Sequence, residues 1–147
     1  MNNAILEELL TEKLDSITGQ PGRWQGTYNE SIVIILTDET NDRMRIITPI
    51  IESAKLDEDL LLDSLTANFH SALDVKYAIS DNILWSVYVH PLSPLTEREL
   101  DSAVDQVYAA AVTFGTTFSS TPLLFGGNQG QGEEPEIKKE QPSFKKT

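Results

Sequence analysis

No cysteine occurs among the 147 residues, and only two histidines do, His70 and His90. Disulfides, thiolate catalysis and cysteine-ligated zinc are therefore excluded together, and so is any three-histidine metal centre. Basic residues are also scarce: 11 stand against 23 acidic ones, a formal net charge of −12. The excess is uneven, because residues 1–127 hold 19 acidic and 7 basic side chains while residues 128–147 hold four of each. Such a field repels phosphate backbones and anionic lipid, so neither nucleic acid nor a membrane surface is an expected partner. Arg43 and Arg45 come nearest to a basic patch, but two residues apart on a strand they read as a solvated face. No run approaches the roughly 20 apolar residues of a membrane-spanning helix. Residues 1–15 mix leucines with Glu7, Glu8, Glu12 and Asp15 and lack the basic flank of a signal peptide, so a cytoplasmic protein is the expectation.

Familiar chemistry is missing too. Asp57, Glu58, Asp59 and Asp63 cluster where a helix begins, and negative charge there complements the helix dipole without any metal. The acidic stretch at 38–42 lacks the central glycine and terminal glutamate of a calcium loop and reads as a turn. Ser119 and Ser120 have no G-x-S-x-G context, and Gly126, Gly127, Gly130 and Gly132 open a tail rather than a strand-to-helix phosphate loop. Trp24, Tyr28, Trp85 and Tyr88 read as core packing rather than a base-stacking platform. No catalytic residue, cofactor or metal is assigned, and a non-enzyme is expected.

What is present is an ordered series of elements. Leu6, Leu9, Leu10, Leu14 and Ile17 recur at helical spacing behind Asn2 or Asn3, with Gly19 and Pro21 as the stop. Residues 23–28 read as a strand with Trp24, Gly26 and Tyr28 on one side; the run of β-branched residues at 31–37 reads as a central strand covered on both faces. Met44, Ile46, Thr48 and Ile50 alternate along a third strand, where Pro49 predicts an edge or a bulge. Asp57 predicts the cap of a second helix, along which Leu61, Leu65 and Phe69 form one stripe and Leu62 and Leu73 widen it beyond the needs of one sheet contact. Val75, Tyr77 and Ile79, the Asp81–Asn82 turn and residues 83–90 predict a hairpin. Thr96 with Glu99 predicts a capping box, and Leu100, Val104 and Val107 carry a third helix toward Phe114. Residues 119–127 read as an apolar strap, and 128–147 as a disordered tail outside a single domain of residues 1–127.

The resulting order, helix, three strands, helix, two strands, helix, makes an α+β domain with an antiparallel sheet. Over residues 3–118 it resembles the secretion-chaperone-like fold, seen in type III secretion chaperones of the Tir-chaperone (CesT) type and in the related YbjN-like proteins. The residues that carry the likeness are the stretches at 6–17, 32–36, 44–51, 60–69, 83–89 and 100–114. The resemblance implies a homodimer that holds an extended segment of a protein client, without catalysis. Client contacts are expected at Ile5, Leu9, Trp24, Tyr28, Ile47 and Ile51, and dimer contacts at Leu62, Leu65, Phe69, Trp85 and Val87. The alternative is a small-ligand-binding regulatory module of YbjN-like type, with Tyr77, Trp85, Tyr88 and His90 lining the pocket.

Overall fold

Asn2 starts the first helix by accepting a hydrogen bond from the Ile5 amide at 2.9 Å, and α1 (Asn3–Lys13) then buries Leu6 and Leu10. The computed structural model describes residues 1–121. The helix stops earlier than its apolar spacing predicts. Leu14 is already extended, and Ser16–Gln20 forms a strand, β1, where the sequence reading continued the helix through Ile17. The β-branched pair Ile17 and Thr18 suits a strand, and five residue pairs with β2 (Arg23–Tyr28) reward that choice. Gly19 and Gly22, with φ of +128° and +104°, make the turn between them.

The chain continues as an antiparallel meander through β3 (Ser31–Asp38) and β4 (Arg43–Glu52). Asn29 and Glu30 both adopt positive φ, the geometry of a two-residue hairpin turn. A short 3₁₀ turn, Ser53–Lys55, leads into α2 (Glu58–His70), and Asp57 caps that helix by accepting from the Leu60 amide at 2.8 Å. A second positive-φ pair, Asp81 and Asn82, joins β5 (Lys76–Ser80) to β6 (Ile83–His90). The last helix, α3 (Glu97–Val112), opens with the expected capping box: the Glu99 amide donates to Thr96 Oγ1, and the Thr96 amide donates to the Glu99 carboxylate.

All six strands form one antiparallel sheet in the order β1-β2-β3-β4-β6-β5. The third strand of the sequence reading is thus β4, central between β3 and β6, and the sheet register shifts between Pro49 and Ile51, which is the bulge that the proline predicts. One face carries the core: Trp24, Val33, Ile35, Met44, Ile46, Leu84 and Tyr88 meet Leu6 and Leu10 of α1 and Leu100, Val104 and Val107 of α3. The other face is less covered than the β-branched run in β3 predicts. Val33 and Ile35 are buried, but Ile32 is exposed and Ile34 and Leu36 are only half-buried. The expected tail at 128–147, and the strap beyond Thr121, lie outside the described residues.

Candidate client-binding surface

Two edges end the sheet, and they are treated differently. At β5, the Asn68 side chain of α2 accepts from the Tyr77 amide at 2.8 Å and donates to the Tyr77 carbonyl at 3.1 Å. The far side of β1 has no strand beside it among the described residues. An unpaired strand edge is a template for an extended peptide.

Next to that edge runs a groove of about 580 Å³ between α1 and β1, with Glu7, Glu8 and Glu12 along the rim and Leu9, Ile17 and Trp24 supplying the apolar lining. The fit of β1 against β2 depends on a glycine. A Cβ at Gly26 would collide with the Ser16 carbonyl and press on Leu14, so only a residue without a side chain lets the two strands pair this closely here. The groove wall is braced by polar contacts. Trp24 Nε1 donates to the Glu7 carboxylate at 2.8 Å, and Lys13 Nζ pairs with Asp105 of α3 at 3.1 Å while lying 5.2 Å from the centre of the Tyr28 ring. The Asp105 carboxylate, which accepts from the Tyr28 hydroxyl, is the main reason that the phenol's pKa is raised; burial adds to it.

The six positions expected to touch a client therefore divide. Ile5 is exposed on α1, and Leu9 is a half-buried wall of the groove. Trp24, only 1% exposed, belongs to the core and underlies the groove instead of offering a free ring. Tyr28 stands at the opposite end of β2, edge-on to Tyr108 at 5.6 Å. Ile47 and Ile51, both half-buried, lie on β4 away from the groove, Ile47 beside Val87 of β6. The sequence reading missed β1 and Asn68. The turn residues Gly19, Gln20, Pro21 and Gly22, flanked by Ile17 and Thr18, were the available signal for β1.

The second helix meets the sheet through its small residues. Ser64 and Ala67 are its buried residues, and the stripe of Leu61, Leu65 and Phe69 points outward, with Leu65 65% and Phe69 83% exposed. Leu62 and Leu73 are exposed as well. Small residues let α2 settle against β5, which leaves the leucines without a place in the core. Of the other expected dimer positions, Trp85 and Val87 alternate with buried Leu84 and Ser86 and so share the open face of the sheet.

No family model and no curated protein matches the sequence. Solved structures do. A chain of the ExsC–ExsE complex superposes with a TM-score of 0.61 at 14% identity, covering 81% of this chain and 98% of that one. The fold is secretion-chaperone-like. A chain of the HopA1–SchA chaperone–effector complex gives a TM-score of 0.58 at 11% identity, over 76% of this chain and 94% of that one. A chain from the structure of the Yersinia pestis type III secretion chaperone SycH with a fragment of YscM2 gives 0.57 at 20% identity, over 77% and 98%. The secretion-chaperone-like architecture stands, therefore, with one strand more than the sequence reading counted.

The four residues of the alternative small-ligand pocket are not brought together. Trp85 lies on the open face, and its Nε1 donates to the Ser80 carbonyl at 3.0 Å. Tyr77 is buried, and its hydroxyl donates to the Ala110 carbonyl at 2.7 Å. Tyr88 and His90 share a cavity of about 420 Å³ between β6 and α3, which neither Tyr77 nor Trp85 lines.

Proposed function

We propose that this protein is a non-catalytic, chaperone-like homodimer that holds an extended segment of a protein client. The observation that carries the reading is the asymmetry of the sheet: Asn68 occupies the edge of β5 at Tyr77, while β1 has no neighbour on its far side among the described residues and lies beside an apolar-lined groove. Backbone pairing along β1 supplies affinity for any extended chain, and Leu9 and Ile17 supply contacts for alternate apolar side chains. The acidic rim favours a client segment with basic residues. The likeness to chains from a chaperone–effector complex and from a type III secretion chaperone bound to a protein fragment supports the same reading.

The homodimer is part of the proposal. Leu62, Leu65 and Phe69 on α2, with Trp85 and Val87 on the open sheet face, form the surface for a second copy, because exposed apolar area of this kind marks an interface. The reading carries a cytoplasmic location. The test is purification with a client encoded next to this gene, followed by hydrogen exchange on the complex. Protection is expected at residues 16–20 and along the groove face of α1. If a complex forms and β1 exchanges as fast as in the free protein, the assignment of the surface is wrong; if no neighbouring protein binds at micromolar concentration, the client reading is.

A second reading, a small-ligand-binding module of YbjN-like type, is favoured by one observation, the cavity that contains Tyr88 and His90.

A further inference from the structure

The cavity between β6 and α3 is rich in hydrogen-bond acceptors and has few donors to satisfy them. Glu99 uses one carboxylate oxygen for the capping box, where it accepts from the Thr96 amide and hydroxyl. Its other oxygen stands 3.8 Å from His90 Nε2, too far for a hydrogen bond. The orientation of His90 follows from its neighbour: Nδ1 lies 2.8 Å from the Pro91 carbonyl, which can only accept, so Nδ1 carries the proton. In the neutral ring Nε2 is then a second acceptor facing the same gap. Asp74 accepts one bond, from Gln106 Nε2 at 3.2 Å. That same Nε2 also donates to Ser102, which spends both of its protons. Lys76, the cation of the lining, places its ammonium on the main-chain carbonyls of Asn68 and Leu73. Among the described residues neither Asp74 nor Glu99 has a lysine or arginine partner.

Tyr88 adds an independent sign of a ligand. Its side chain is 7% exposed and lines the cavity, and its hydroxyl, which makes no hydrogen bond among the described residues, opens into the cavity. Burial raises its pKa, and the charges of Glu99 and Asp74 raise it further. A hydroxyl that faces a cavity without a protein partner is free to bond whatever enters there. A metal ion does not fit, because among the described residues no three His, Asp or Glu side chains approach closely enough to share one. The rings of Tyr88 and His90 lie nearly parallel, 7° apart, with centroids 5.8 Å from each other, a flat wall on which a planar cation can stack.

We propose that this cavity binds a guanidinium group, with Asp74 and Glu99 as the charged acceptors and Tyr88 and His90 as its aromatic wall. A guanidinium offers five N–H donors in a plane and carries the positive charge that the two carboxylates of the lining call for. The proposal rests on the small-ligand reading and is independent of the client surface at β1.

The test is a calorimetric and thermal-shift titration of the full chain with N-acetyl-arginine amide, its uncharged isostere N-acetyl-citrulline amide, N-acetyl-lysine amide and free L-arginine. The arginine derivative is expected to raise Tm with concentration, the lysine derivative to bind more weakly, and the citrulline derivative not to bind. Tyr88→Phe, which keeps the ring, and Asp74→Asn, which keeps the shape, should each weaken binding about 10- to 100-fold without lowering the unliganded Tm by more than a few degrees. If the blocked derivative binds as well as free arginine, the source is a polypeptide side chain; if free arginine alone binds, it is the amino acid; either supports the site. Equal binding of arginine and citrulline probes, or unchanged affinity in both variants, overturns the guanidinium assignment. A neutral or anionic compound that binds in the cavity and is not displaced by the arginine probes overturns that assignment but leaves the small-ligand reading standing. Binding of no compound of any charge overturns both.

Discussion

The side-chain amide of Asn68 hydrogen-bonds both main-chain groups of Tyr77, accepting from its N–H and donating to its carbonyl, as a neighbouring strand would. One residue of α2 thereby occupies the edge of β5 and fixes the helix against the sheet. The apolar stripe of α2 is turned outward by the same contact, since the face that carries Asn68 also carries Ser64 and Ala67.

Asn68→Ala is expected to leave both Tyr77 groups unpaired at a part-buried edge, at a cost of about 1–3 kcal/mol. Urea unfolding measures it. The variant should also self-associate more readily at high concentration, because a second edge becomes available.

Alkaline pH should destabilise the fold through Tyr77. Burial pushes its phenol from 10.0 up to about 12, and only the protonated form donates to Ala110. A raised pKa means that the contribution is fully present below pH 10, the unfolded value, and is lost as pH rises through about 12. Roughly 2–3 kcal/mol is at stake across that window. Tyr77→Phe is expected to cost about 1 kcal/mol near neutrality and to flatten the alkaline decline in chemical-denaturation curves.

Gly26→Ala tests how β1 lies on the sheet. The added methyl would meet the Ser16 carbonyl, so β1 must shift or detach. A loss of about 1–3 kcal/mol is expected, with hydrogen exchange accelerated at residues 16–20 and unchanged in β4 and β6.

Phe69→Glu separates packing from association. At 83% exposure the ring contributes little within one chain, so the monomer's stability should change by no more than about 0.5 kcal/mol. Sedimentation velocity should show the dimer lost or weakened at least about tenfold, and Leu65→Glu should behave alike. A wild-type protein that sediments as a monomer throughout the micromolar range would remove the dimer from the proposal.

Much of the fold was legible because local signals agreed with tertiary ones. Asp57 and the Thr96–Glu99 box start their helices where capping chemistry says, and Asp81–Asn82 turns where a hairpin needs left-handed residues. Errors arose where local spacing was ambiguous. Leu14 and Ile17 continue a helical period on paper, but pairing with β2 outweighs it. Along α2 the sequence presents leucines on more than one side, and hydropathy cannot tell which side meets the sheet; the small residues Ser64 and Ala67 decide it by allowing close approach. The cavity between β6 and α3 was invisible for another reason. Asp74 precedes β5, Tyr88 lies on β6, and Glu99 and Gln106 lie two turns apart on α3, and each looks ordinary in its own segment.

A sheet stoppered at one end and bare at the other can be lengthened once. Two copies that met through β1 would use up both bare edges and present β5 on either side, so growth would halt at a pair instead of running on into a filament. The same arithmetic sets the load under the proposed function: each copy would accept a single extended segment, and a pair joined through α2 would carry two.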